Sequence, residues 1–153
     1  MSLKEKEEKI IELEKKLSTI KNDHEIDSTK IEETIKDYKT NAYSRLSAYD
    51  RVYLARKSER SHIHEFIDHV FDDFIEMRGD RYFKDDQAIV GGIGLFNNMP
   101  VTIIGHQKGR SIEENLKCQF GMASPEGYRK GMRLMKQAEK FHRPIITFID
   151  TPG

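Results

Sequence analysis

This chain of 153 residues holds a single cysteine, Cys118. One thiol excludes an internal disulfide framework and suits a reducing compartment. No apolar run approaches the roughly 20 residues that cross a bilayer. The N-terminal stretch MSLKEKEEK has no apolar core of the kind a secretory signal needs. A cytoplasmic protein with no membrane partner is therefore expected. An excess of one charge is missing too, since 26 Lys and Arg stand against 26 Asp and Glu. Nothing global points to nucleic acid. There is no Walker loop, no serine–histidine–aspartate set and no carboxylate pair in a catalytic setting. None of His62, His64 and His69 pairs at i,i+4 with another histidine or a cysteine and no ligand cluster emerges, so no metal is expected. Gly91-Gly92-Ile93-Gly94 is not a dinucleotide fingerprint, because no helix follows it.

The charge that is present is unevenly spread. Residues 62–100 carry eight acids and three bases, whereas residues 108–143 carry nine bases and four acids. A basic helix is ordinarily a solvated face; the alternative is attraction of an anionic, phosphate-bearing ligand.

The chain is organised around residues 88–150. Two β-branched apolar runs, Ala88–Phe96 and Met99–Gln107, flank Asn97–Asn98 and predict a β-hairpin. Four glycines in these strands mark bulges or close backbone approach. Ser124 is a good N-cap, Pro125 a good first helical residue, and Glu126 complements the dipole. The helix they start runs to Phe141, with Tyr128, Met132, Met135, Ala138 and Phe141 as its expected buried face. Arg143-Pro144 ends it, and Ile145–Ile149 reads as a strand covered on both faces. The hairpin's second strand, the helix and this last strand form a crossover whose strands should be parallel. Ligands in such sheets favour the carboxyl ends of strands, here the 108–123 loop and the Asp150 turn.

Ahead of this lies a helical stretch. Ile10, Leu13, Leu17 and Ile20 form a short a/d seam over residues 3–21. Thr29 with Glu32 reads as a capping box for a helix to about Ala42, with Ile31, Ile35, Tyr38 and Ala42 buried. The two predict an αα-hairpin. Ser47 with Asp50 caps a short third helix over Ala48–Arg56, and Lys57–Ser61 reads as a hinge. Residues 62–77 carry a helical period in Ile63, Phe66, Ile67, Val70, Phe71, Phe74 and Ile75, with Gly79 as C-cap. Arg78-Gly79-Asp80-Arg81 then reads as a turn with charges for local ion pairs. Cys118, with no histidine nearby in sequence, reads as structural.

Chemistry could sit at Gly121-Met122-Ala123. These residues place backbone N–H groups just before a helix start, where unsatisfied amides and the dipole can hold a phosphate or a developing oxyanion. A merely capped helix looks the same from spacing alone.

The runs DDQAIVGGIG, VTIIGHQKGR, FGMASPEGYRKGMRLMKQAEKF and RPIITFIDTPG resemble the α subunit of bacterial acetyl-CoA carboxylase carboxyltransferase. The resemblance is dense over residues 62–153 and looser before them. It implies an α/β, crotonase-like fold of ββα units, carried by residues 62–153. Residues 1–61 would be a helical extension used in assembly. It implies carboxyl transfer from carboxybiotin, held on a separate carrier protein, to acetyl-CoA, giving malonyl-CoA for fatty-acid synthesis. It implies a β subunit in an α2β2 heterotetramer, the biotin carboxyl carrier protein and an ATP-dependent biotin carboxylase as partners. By the same analogy the amides of Gly121, Met122 and Ala123 are oxyanion contributors. Lys108 and Arg110, in the basic loop, are the residues expected to meet substrate. The family continues past DTPG, so the sequence reads as an N-terminal portion, inactive alone. An assembly module without chemistry, or another crotonase-like acyl-CoA enzyme, are the alternatives.

Overall fold

A computed structural model describes residues 2–21 and 29–151. The chain divides into two compact units, residues 1–56 and 57–153.

The first unit is helical: α1 (Leu3–Lys21), α2 (Thr29–Tyr43) and α3 (Ala48–Ala55). Tyr43 donates its hydroxyl to Glu7 at 2.8 Å, and Lys39 pairs with Glu14. As residue numbers rise on α1 they fall on α2, so the hairpin is antiparallel. Ile10, Ile35 and Ala42 are buried, and Leu13, Leu17 and Ile20 are half-buried, as the spacing predicts. Burial and the Glu7 carboxylate push the Tyr43 phenol up to about 12. The Ser47 capping box forms, with Asp50 N–H donating to Ser47 Oγ at 3.2 Å and Ser47 N–H to Asp50 Oδ2 at 3.0 Å. The Asn22–Ser28 break lies outside the described residues.

The second unit is a four-stranded sheet between helices. Its elements are α4 (Ile63–Val70), β1 (Asp72–Glu76), β2 (Ile89–Phe96), β3 (Met99–His106), α5 (Ile112–Lys117), a 3₁₀ turn (Gln119–Gly121), α6 (Pro125–Lys140) and β4 (Ile145–Phe148). The strand order is β1-β2-β3-β4. The first two pairings are antiparallel and the β3–β4 pairing is parallel, as the crossover requires. At the hairpin, Asn97 and Asn98 take φ of +49° and +62°, the double left-handed turn that suits strand twist.

Each face of the sheet has its own core. On one, Ile63 and Ile67 of α4 meet Phe71, Val90, Val101 and Ile103. On the other, Leu134 of α6 meets Ile89 and Ile104. Alternation along β3 sends Ile103 to the first and Ile104 to the second. Glycine sets the spacing: a Cβ on Gly105 would stand 2.5 Å from Ile63 Cδ1, and one on Gly91 would overlap Leu134 Cδ1.

Three expectations are corrected. The helix expected over residues 62–77 ends at Val70, and Phe74 and Ile75 lie on β1 instead. A bulge opens that strand, with Asp72 opposite Leu95 but Ile75 opposite Ile93, and Asp73 at φ +49°. Gly79 therefore caps no helix, although its φ of +75° is the conformation expected of it. On α6 the buried residues are Gly127, Lys130, Gly131, Leu134 and Ala138. Tyr128, Met132, Met135 and Phe141 are exposed, and only Ala138 of the expected stripe is buried. Finally, β4 is an edge strand with alternating exposed and half-buried residues, not one covered on both faces.

Candidate functional site

Lys108 follows β3 and Asp150 follows β4, at the carboxyl ends of two adjacent parallel strands. That is where an open α/β sheet leaves a crevice. Lys108 Nζ and Asp150 Oδ1 pair at 2.6 Å, with the Lys108 side chain largely buried. The turn at 119–121 lies against this pair. Gly121 has φ of +78°, and a Cβ there would fall 2.9 Å from Lys108 Cγ and 3.3 Å from the Asp150 carbonyl oxygen. Only glycine lets the backbone come this close. Gln119 and Phe120 precede it with φ of +49° and +56°. Two consecutive non-glycine residues in the left-handed region are strained, and such strain concentrates at functional sites. The side chains of Phe120 and Met122 are exposed beside the turn.

The amides at this corner are more committed than the sequence suggests. Gly121 N–H donates to the Cys118 carbonyl at 2.8 Å and Met122 N–H to the Gln119 carbonyl at 2.9 Å. Ser124 N–H donates to Asp86 Oδ2 at 2.6 Å. The expectation of three unsatisfied donors is corrected to one, because Ala123 N–H alone makes no such bond among the described residues. The same Asp86 explains why Ser124 caps α6 in position but not in bonding. Its hydroxyl also points to Asp86 rather than to the helix amides. A buried carboxylate thus already stands at the positive end of α6, where an anionic ligand was an expected alternative.

The Asp86 carboxylate also accepts the Ala88 N–H at 2.6 Å, and the segment that carries it is tied to α6 by further polar contacts. Lys130, 1% exposed, donates to Asp85 Oδ1 at 2.5 Å and to the Asp86 carbonyl at 2.7 Å. A buried ammonium is tolerated only when so partnered. Asp80 Oδ1 accepts the amides of Tyr82, Phe83 and Lys84 at 2.8–3.1 Å, and its Oδ2 accepts Arg129 Nε at 2.9 Å. Burial pushes the Asp80 carboxyl up, but these amides and the guanidinium outweigh it and hold it well below the usual carboxylate range. The charges of residues 78–81 therefore pair both locally, as Arg78 with Glu76, and far along the chain.

The structure brings Lys108 and Gly121 together but separates Arg110. The Arg110 guanidinium pairs with Glu65 of α4, and its backbone N–H donates to Glu114. Cys118 is buried, which pushes its thiol up and leaves it a poor nucleophile. Sequence reasoning missed Asp86, Lys130 and the Lys108–Asp150 pair. Opposite charges just past two parallel strands were the available signal for that pair. Beside the site, an apolar groove of about 380 Å³ runs between Tyr128, Met132 and Met135 of α6 and Ile104, Thr147 and Ile149 of the sheet.

This arrangement, a half-buried cation and a strained glycine turn at strand ends, sits on a chain whose relatives are known. The model of the family described as acetyl co-enzyme A carboxylase carboxyltransferase-like matches residues 2–153. This chain belongs to that family. It is 54% identical over 123 residues to the acetyl-coenzyme A carboxylase carboxyl transferase subunit alpha of Bacillus cytotoxicus, covering 80% of this chain and 38% of the relative. It is 47% identical over 154 residues to that subunit of Bacillus cereus strain B4264, covering 96% of this chain and 48% of the relative. The subunit of Carboxydothermus hydrogenoformans is 47% identical over 158 residues, with the same coverage. The chain thus spans half or less of the length of these relatives.

Proposed function

We propose that this chain forms part of the carboxyltransferase of acetyl-CoA carboxylase, which moves a carboxyl group from carboxybiotin to acetyl-CoA and yields malonyl-CoA for fatty-acid synthesis. The observation that carries this is the alignment with curated α subunits over 96% of the chain. The order hairpin, helix, parallel strand supports a crotonase-like ββα unit within it. The β subunit of an α2β2 assembly, the biotin carboxyl carrier protein and biotin carboxylase are its partners in this reading. The cytoplasm is its place. Residues 1–61 serve assembly, and residues 62–153 carry part of the transferase domain.

The residues present fit a carboxybiotin group through one cation and one amide. Lys108 Nζ and Ala123 N–H are the available donors; the Gly121 and Met122 amides join only if their turn opens. The bound biotin supplies the carboxyl to be transferred. Lys108 then offsets negative charge appearing on an oxygen at the strand ends, in a setting where such a cation counts for more than it does in water. Asp150 orients the ammonium. Gly121 lets the turn close over it.

Because the chain spans about half of its relatives, it is expected to be inactive alone. The test is a chimera in which this chain replaces the matching part of the Bacillus cereus α subunit, assayed with its β subunit and carboxylated carrier. Malonyl-CoA formation is expected. A chimera that assembles with β but makes none refutes the proposal.

A further inference from the structure

The segment between β3 and α6 is packed the wrong way round. No residue of α5 is buried; Ile112 is 81% exposed and Leu116 is 63% exposed. Polar Glu114 and Lys117, with Cys118, instead line a hollow of about 260 Å³ whose other wall includes His64, Gln107 and Ile89. A helix settled on a core turns its apolar side inward. Among the described residues, two side-chain bonds tie residues 110–121 to the rest of the unit. Asn115 Oδ1 accepts the Gly109 N–H at 3.2 Å, and Arg110 pairs with Glu65 in solvent, where such a pair contributes little. Others close within the segment, as Lys117 to Glu113 and the Cys118 N–H to the Glu114 carbonyl.

This seated arrangement carries costs. Gln107, on the wall of the hollow, has its Oε1 buried without a donor, while its Nε2 donates to the Lys108 carbonyl at 2.8 Å. An orphaned buried acceptor is destabilising. Gln119 and Phe120 both hold left-handed backbone, which residues with a Cβ disfavour. The fit at Gly109 has no slack: a Cβ there would stand 2.3 Å from the Asn115 nitrogen and 2.4 Å from the Glu114 carbonyl carbon. Lifting the segment lets water reach Gln107 and frees Gln119 and Phe120 from the left-handed region. Segments with few buried apolar contacts are the ones that open while the rest of a fold stays closed.

We propose that residues 110–121 form a strap across the ends of β3 and β4 that lifts while the sheet stays folded, Gly109 and Gly121 being its two seats. Lifting breaks the turn bonds of Gly121 and Met122 and releases the two amides that the seated strap closes. Their use at the candidate site rests on the proposed function; the motion does not. The chain's one thiol, Cys118, is buried under the strap and reports its opening. The experiment follows iodoacetamide labelling of Cys118 by mass spectrometry in the parent chain, G109A and Q119G. Hydrogen exchange of the Ile103 and Ile104 amides on the same samples reports opening of the sheet. Parent Cys118 is expected to label through an opening far more frequent than that of the sheet amides. G109A puts a methyl against the α5 backbone and should label about tenfold faster or more. Q119G removes an exposed side chain and relieves its left-handed residue, so the seated state gains and labelling should slow about threefold. Opposite changes in the two variants, with sheet exchange unmoved, are the signature of the strap. Labelling of the parent that only keeps pace with sheet opening overturns it, as do variants that shift Cys118 and the sheet amides by the same factor. Q119G is the second arm should G109A not fold, and its labelling at the parent rate overturns the strap. Any of these failures leaves malonyl-CoA formation by the chimera, and so the proposed function, standing.

Discussion

The two units of this chain bury their charges differently. In the helical unit the apolar stripe is narrow, one carboxylate, Glu7, is buried against the Tyr43 hydroxyl, and the ion pairs, such as Lys16 with Glu12 and Lys39 with Glu14, lie at the surface. In the α/β unit both sheet faces carry a core, and Lys130, Asp80 and Asp86 are buried with all their partners supplied by the fold. Surface pairs add little to stability, whereas breaking a buried pair strands a charge. The helical unit, with one buried charged group among the described residues against three in the α/β unit, is therefore the more tolerant of the two.

The largest test of this contrast is Ile103→Ala, which empties a fully buried site in the sheet core. It should cost about 2–5 kcal/mol in urea unfolding, followed through amide signals of each unit. If the helical transition falls equally, the units do not respond separately and the comparison fails. Next, Lys108→Ala in the chimera should lower kcat by about a hundredfold, while Arg110→Ala, whose side chain is spent on exposed Glu65, should stay within about twofold. Equal effects would remove Lys108 from the proposed site. Gly91→Val drives a side chain into Leu134 and should cost about 1–3 kcal/mol by the same unfolding measurement.

Asp80 gives a pH signature. Its folded-state carboxyl lies below the unfolded value of about 3.9, so its contribution is complete above that value and is lost as pH falls beneath it. Stability of the α/β unit should drop from pH 5 to pH 2, and Asp80→Asn should flatten the drop. An unchanged slope means another carboxylate is responsible. The smallest effect belongs to the helical unit, where Ser47→Ala removes one exposed cap at about 1 kcal/mol, read as earlier fraying of α3 by hydrogen exchange.

Particular residues show what a one-dimensional reading can see. The Asn97–Asn98 hairpin, the Ser47 cap and the α1 seam were legible because each rests on neighbours within a few positions. Phe74 and Ile75 continue a helical period by coincidence, while pairing of Ile75 with Ile93 and of Glu76 with Gly92 claims the segment for a strand. The face of α6 was misread for a related reason. Lys130 scores as an outward residue, yet it turns inward to Asp85 and the Asp86 carbonyl, and the small residues Gly127 and Gly131 let the helix lie close to the sheet. At the candidate site, the sequence offers Lys108 and the Gly121 turn as candidates, and the fold sets them side by side. Asp86 was not legible, because its 38-residue reach to Ser124 leaves no local trace.

Sequence alone determined the elements built from local spacing, the parallel crossover and the family. Tertiary structure decided which amides at residues 121–124 remain open and which side of α6 is buried. The Gly121 and Met122 amides close turn bonds three residues back, but the Ser124 amide and the buried Lys130 depend on a carboxylate and a carbonyl brought in from some forty residues away. A buried donor takes whatever acceptor the fold delivers, and no local pattern specifies that delivery.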